Sequence, residues 1–162
     1  LWKPGGFLKM KELELKINQA LNESLGDRLM SIILFGSSIY MGYGRDLDIL
    51  VVVDYLEDLK EKISLEEKII EYLNRLFNYF ITLDVHVLDI RGLDKNMEVG
   101  GFLSGLALGY RVVYDRLDIE EEILKMLEKL KEHSYIYVNR HGEWNLSKIA
   151  KITLDMKKKN KT

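Results

Sequence analysis

The chain has 162 residues, no cysteine and a nearly balanced charge, with 24 Lys+Arg against 26 Asp+Glu. That length fits one domain or one domain with a small appendage, and the missing thiols exclude disulfides, thiolate zinc sites and a cysteine nucleophile. The balanced charge does not point to general nucleic-acid affinity, and no apolar run of about 18 residues is present to span a membrane.

The first residues, LWKPGGFLK, carry no signal-peptide pattern and read as a start-site or vector remnant, so the cytoplasm is the expected location. Residues 7–25 place Leu8, Leu13, Leu15, Ile17, Leu21 and Leu25 near helical spacing, which predicts an amphipathic helix ending near Gly26. Residues 29–35, LMSIILF, suit a buried strand. Gly36-Ser37-Ser38 follows, then a helical or looped stretch to Tyr43-Gly44. Residues 46–53, DLDILVVV, form a second strand. After Ile49 it is apolar on both faces, so a central strand covered on both sides is expected.

Residues 56–79 read as helix, with a buried stripe of Ile69, Ile70, Leu73, Leu76 and Phe77. Ser64 and Glu67 have capping-box spacing, which predicts a break or restart at Ser64. Residues 81–89, ITLDVHVLD, form a third strand with Leu83, Val85 and Val87 on its core face. Thr82, Asp84, His86 and Leu88 occupy the other face. Residues 94–109 read as one helix loosened by Gly100, Gly101, Gly105 and Gly109, each costing about 1 kcal/mol against alanine. A short strand over 110–114 precedes a helix over 118–132 with Asp118 as its N-cap. Two extended pieces around 139–143 suggest a hairpin. Ser147 starts a terminal helix, and Lys157, Lys158, Lys159 and Lys161 read as a solvated tail. The expected division is a core over 1–116 and a helix/hairpin/helix extension over 117–162 packed on it.

The chemistry gathers at the head of the second strand. Asp46 and Asp48 are two apart, so both project from one strand face, about 6.5–7 Å apart along the backbone. Such carboxylates repel unless a cation lies between them. Hard divalent ions with oxygen ligands are the natural partners, Mg²⁺ above all where a phosphate adds oxygens. Asp84, mid-strand and off the core face, would complete a two-ion site of the kind that performs phosphoryl chemistry. Gly36 and Ser37, after a strand and before a helix start, make an anion site. Asp-x-Asp alone recurs by chance, and Gly-Ser after a strand is usually a turn. Their order on successive elements carries the reading. His86 reads as a satisfied half-buried histidine beside that site. Tyr40, Tyr43 and Tyr110 read as packing or surface residues, and Trp144 with Tyr135 and Tyr137 as a small satellite core.

Strand-Gly36-Ser37, then Asp46-Leu47-Asp48 heading an apolar strand, then Asp84 on a later strand, resembles the DNA polymerase β-like nucleotidyltransferase superfamily. The small size is similar to its minimal nucleotidyltransferase (MNT) branch, and the resemblance covers about 30–115. It implies an α+β fold, a two-layer arrangement of a small mixed β-sheet with helices packed on it, here with a C-terminal helical extension. It implies that Gly36 and Ser37, with Ser38 and Arg45 beside them, bind the phosphates of a nucleoside triphosphate. Asp46 and Asp48 would bind two Mg²⁺ ions, with Mn²⁺ as a substitute. Asp84 would bind the catalytic ion and help deprotonate the acceptor. The implied reaction transfers an NMP, AMP from ATP first, to an unidentified hydroxyl and releases pyrophosphate. The implied partner is a helical HEPN protein, toward which some members act as antitoxins; a homo-oligomer stays open.

The chain departs from the usual pattern in two places. Only eight residues lie between Ser37 and Asp46, and Arg45 stands where serine is frequent. The alternative function is a non-catalytic nucleotide- or partner-binding module of the same fold. A nucleic-acid end-modifying enzyme fits less well, because the net charge is −2 and no added RNA-binding domain is legible.

Overall fold

The computed structural model of the chain describes residues 9–42 and 46–161. The expectations for the first eight residues and for Tyr43, Gly44 and Arg45 lie outside the described residues. Helix α1 (Met10–Leu25) buries Leu13, Ile17, Ala20 and Leu21, a single stripe at helical spacing. It stops at Gly26, whose φ of +54° disfavours a side chain. Then come β1 (Leu29–Phe35), α2 (Ser37–Tyr40), β2 (Asp46–Val53), α3 (Leu59–Leu76), β3 (Thr82–Asp89) and α4 (Ile90–Asn96). After a 3-10 segment over Phe102–Leu108, the chain forms β4 (Tyr110–Asp115), α5 (Ile119–Lys131), β5 (Ile136–Asn139), β6 (Gly142–Asn145) and α6 (Leu146–Asn160).

The main sheet is mixed, in the order β3-β2-β1-β4. β1 runs antiparallel to β2 and β4, whereas β2 and β3 are parallel and need the α3 crossover between them. Alternation along β2 sends Leu47, Ile49, Val51 and Val53 into one core with α1 and α3. It sends Leu50 and Val52 into a second core with α5, α6 and the 3-10 segment. β2 is thus apolar on both sides because both sides are covered, and the class is the α+β one expected. At the outer edge of β3, Glu66 of α3 accepts from the Val87 N–H (2.9 Å), and Lys62 donates to the Val87 carbonyl (2.7 Å). Those side chains take the place of a further strand.

Local chemistry moves several element ends from where the sequence pattern puts them. α3 is continuous through Ser64. Its N-cap is Asp58, whose carboxylate accepts from the Glu61 N–H at 2.8 Å, so the capping-box spacing at Ser64 is not used. Of its expected stripe, Ile69, Leu73 and Phe77 are buried and Leu76 is exposed. The predicted helix over 94–109 is two pieces. α4 starts earlier, capped by Asp89 accepting from the Gly92 N–H at 2.8 Å. The chain then turns at Gly100 (φ +85°), and a Cβ at Gly101 would lie 2.8 Å from the Asn96 carbonyl. Asp118 is left-handed (φ +53°) and makes no side-chain cap. Asp115 caps α5 instead, accepting from the Leu117 and Ile119 N–H groups at 2.9 and 2.8 Å, and from the Ser31 hydroxyl at 2.9 Å. α6 is capped by Asn145, which accepts from the Lys148 N–H at 3.0 Å. Ser147 is buried and accepts from the Tyr135 N–H at 2.9 Å, fastening the base of the β5–β6 hairpin. Lys157, expected in a solvated tail, pairs with Glu120 and donates to the Tyr110 hydroxyl at 3.2 Å. Among the described residues no helix is long and apolar enough to cross a membrane.

Candidate active site

Strand register brings the acids together. In the parallel β2–β3 pair, Asp48 stands opposite Asp84 and Leu50 opposite His86; in the antiparallel β1–β2 pair, Asp48 stands opposite Phe35. Adjacent strands lie about 4.8 Å apart, so a carboxylate on each is a close neighbour of the other. Ligand atoms of Asp48, Asp84 and His86 all lie within 4.8 Å of one another, with His86 Nε2 3.4 Å from Asp84 Oδ2. Asp84 is exposed, whereas Asp48 is half-buried. Burial, then the charges of Asp84 and Asp46, push the Asp48 carboxyl up to about 6, against the opposing pull of His86 and Arg140.

That upward shift comes first from taking the Asp48 carboxyl out of water and second from the like charge of Asp84 beside it. The donor set, two carboxylates and an imidazole, suits a divalent cation that takes oxygen and nitrogen ligands. Asp48, Asp84 and His86 thus form a group whose geometry and donor types could hold such an ion.

The turn after β1 fits against this group. Gly36 has φ +82° and ψ −173°, a region open essentially to glycine alone. A Cβ there would also run into the Asp48 carboxylate. Gly36 and Ser37 line a cleft of about 480 Å³ together with Asp48, Asp84 and His86. Phe102, Tyr135 and Arg140 also line it. Ser38 does not line this cleft. Its buried hydroxyl donates to the Asp46 carbonyl and ties α2 to the head of β2.

Asp46 is held apart from the other two acids. Its carboxylate accepts from Arg140 Nη2 at 2.8 Å. The three expected acids are thus divided: Asp48 and Asp84 cluster with His86, while Asp46 faces the tip of the C-terminal hairpin. Arg45 lies outside the described residues. His86 is half-buried between the rings of Phe35 and Phe102, with centroids 6.0 and 4.9 Å away. Sequence reasoning treated it as a satisfied histidine and gave it no ligand role. Its signal was available, two residues from Asp84 on the same strand face. Arg140 was missed altogether, and nothing near it in the chain points to Asp46, 94 residues away.

No family model matches the chain. A Methanocaldococcus jannaschii protein named "Putative protein adenylyltransferase" is 27% identical over 141 residues, which cover 80% of this chain and 88% of the relative. Among solved structures, the tri-AMPylated Shewanella oneidensis HEPN toxin in complex with MNT antitoxin gives a TM-score of 0.48 at 22% identity, over 76% of this chain and 88% of that chain. The spectinomycin adenyltransferase AAD(9) from Enterococcus faecialis, with ATP and spectinomycin, gives 0.45 at 16% identity, over 75% and 67%. With its Gly-Ser turn, its three strand acids and this sequence relative, the chain resembles the minimal nucleotidyltransferases of the DNA polymerase β-like superfamily.

Proposed function

We propose that this chain is a metal-dependent nucleotidyltransferase that moves AMP from ATP onto an acceptor hydroxyl and releases pyrophosphate. The observation that carries the reading is the cross-strand pair Asp48 and Asp84 at the Gly36-Ser37 turn, in one cleft. The sequence relative, named as a protein adenylyltransferase, supports a protein as acceptor. A HEPN-type helical protein is the acceptor that the family resemblance suggests, and the cytoplasm the compartment.

In this reading Gly36 lets the backbone approach the triphosphate closely, and Ser37 offers it a hydroxyl and an N–H. Ser38 anchors that turn to β2. Asp46, Asp48 and Asp84, with His86 beside them, would hold two Mg²⁺ ions or Mn²⁺ in their place. Bound there, the ions neutralise phosphate charge and acidify the acceptor hydroxyl. Asp84, the most open of the clustered groups, takes the proton of that hydroxyl. The acceptor oxygen forms a bond to the α-phosphorus, the bond from that phosphorus to the bridging oxygen breaks, and the electron pair leaves with pyrophosphate. The half-buried ring of Phe35 and the more exposed ring of Phe102 give the cleft an apolar patch beside His86.

The test is transfer of label from α-labelled ATP, with Mg²⁺ or Mn²⁺, to a HEPN-type helical protein, read as labelled protein and as released pyrophosphate. Both products are expected, and both are lost in Asp48→Asn. No pyrophosphate from any of the four nucleoside triphosphates would overturn the reading. The engagement of Asp46 by Arg140 favours a second reading, a non-catalytic nucleotide- or partner-binding module. Nucleotide binding without pyrophosphate release would support that one.

A further inference from the structure

The hairpin β5–β6 reaches across to the phosphate-side turn and is fastened there. Asn139 Nδ2 donates to the Tyr40 hydroxyl at 3.0 Å. The Asn139 side-chain oxygen accepts from Trp144 Nε1 at 3.1 Å and from the His141 N–H at 2.9 Å. The rings of Tyr40 and Trp144 meet edge to face at 5.5 Å. One asparagine therefore joins α2, both strands of the hairpin and its tip. What the joint presents to the cleft is Arg140.

Arg140 has an unusual situation. Among the described residues that line the cleft, it is the one with a permanent positive charge. The same wall-to-wall space holds Asp48 and Asp84, with Asp46 at its rim. A nucleoside triphosphate entering it brings several more negative charges. The Arg140 guanidinium is now on Asp46 at 2.8 Å, with the two side chains 71% and 40% exposed. An ion pair that open is weak and readily exchanged. A guanidinium also matches phosphate oxygens with two parallel N–H donors, a geometry no ammonium reproduces.

We propose that Arg140 is the triphosphate-binding cation of this site, carried by the C-terminal hairpin and resting on Asp46 until a nucleotide arrives. This rests on the nucleotidyltransferase reading above. When the triphosphate enters, Arg140 leaves Asp46 for phosphate oxygens, and the Asp46 carboxylate is freed to turn toward Asp48 and Asp84. Arg140 and a divalent cation therefore compete for Asp46 in the nucleotide-free protein, whereas nucleotide and cation help each other bind. By linkage each raises the affinity of the other by the same factor. Residues 136–145 thus belong to the nucleotide site, although the motifs that carry the family resemblance all lie within 30–115.

Two titrations of the full chain test this, one with Mn²⁺ alone followed by electron paramagnetic resonance, and one with α,β-methylene ATP in saturating Mn²⁺ followed by calorimetry. The analogue cannot be cleaved at the reacting bond, so the readout is binding. Loss of charge-assisted hydrogen bonds predicts that Arg140→Ala binds the analogue about tenfold more weakly or worse, while AMP binding is unchanged. The same variant is expected to bind Mn²⁺ alone several-fold more tightly, because Asp46 has lost its resident cation. Arg140→Lys should fall between wild type and Arg140→Ala for the analogue. Equal analogue affinity in wild type and Arg140→Ala overturns the proposal and leaves the functional reading standing, whatever happens to Mn²⁺. A wild-type chain that binds no analogue at all overturns both. Arg140 is at an exposed hairpin tip, so the variants are expected to fold; Asn139→Ala, which loosens the joint and leaves the guanidinium in place, is expected to weaken analogue binding less than Arg140→Ala does.

Discussion

The two faces of the sheet are built from the same strands and serve opposite ends. Toward α1 and α3, β2 presents Leu47, Ile49, Val51 and Val53 and β3 presents Leu83, Val85 and Val87, all buried. That face is closed along its whole length. On the other face the same strands present Asp46, Asp48 and Thr82, Asp84, His86 before Leu50, Val52 and Leu88 return to an apolar core. The second face is therefore two things end to end: a core where α5 and α6 cover it, and a polar cleft where the hairpin and the 3-10 segment leave it open. Period-two alternation makes the division sharp, because neighbours in sequence fall on opposite faces. Stability on one side and charged groups held in unfavourable company on the other follow from a single strand.

Adjacent residues of β2 allow that division to be broken one face at a time. Asp48→Asn is expected to lower label transfer by about 100-fold or more, since even the outer partners of metal ligands are worth about 10- to 100-fold. Its unfolding midpoint near neutral pH should not fall, because the variant removes a half-buried charge crowded by Asp84. Ile49→Ala is the reverse. It empties a fully buried site, and a cost of about 2–5 kcal/mol in denaturant unfolding is expected, with transfer by the remaining folded protein close to wild type. Equal behaviour of the two variants would show that the faces are not separable.

Gly36→Ala sits on the boundary and should affect both sides. Placing an alanine at φ +82° strains the backbone by about 1–3 kcal/mol, and the new methyl displaces the Asp48 carboxylate. Chemical denaturation and Mn²⁺ titration should therefore both worsen. A variant that loses stability and keeps its Mn²⁺ affinity would mean that the turn shapes the fold and leaves the acids alone.

What the sequence made legible was what is periodic or local. β1 and β2 were readable to the residue because alternation and β-branched runs report burial directly. The Gly36, Asp46, Asp48 and Asp84 succession was readable because each stands at a fixed offset from a strand. Element ends were harder where two side chains could cap the same turn. Ser64 has the better local pattern, yet Asp58 is placed where α3 actually starts, and Asp115 outcompetes Asp118 by also holding Ser31. The glycine-rich stretch near 100 reads as a helix from the sequence, while in the structure Gly100 and Gly101 sit in a turn. Arg140 was beyond reach for another reason. Its partner is set by the packing of a hairpin on α2 through Asn139 and Tyr40, a tertiary contact with no trace in local pattern.

The smallest expected effect is a pH dependence that isolates Asp48. Its carboxyl is pushed up to about 6 in the folded chain, by burial first and by Asp84 next. In the unfolded chain it returns to the ordinary range near 4. Between those two values the folded state holds the proton that the unfolded state has released, so stability falls as pH rises through the window and levels off above it. The other carboxylates change stability over the same range, so the quantity to read is the difference between wild type and Asp48→Asn. Wild type is expected to lose stability relative to the variant between about pH 4 and pH 6. Mn²⁺ binds the ionised carboxylate, so its affinity for wild type should rise across the same window, and saturating Mn²⁺ should offset the relative loss above it. A wild-type difference curve that stays flat from pH 4 to 6, with or without Mn²⁺, would mean that Asp48 titrates as an ordinary open acid. The second face would then be no more strained than the protein surface, and the contrast with the closed face would reduce to apolar against polar.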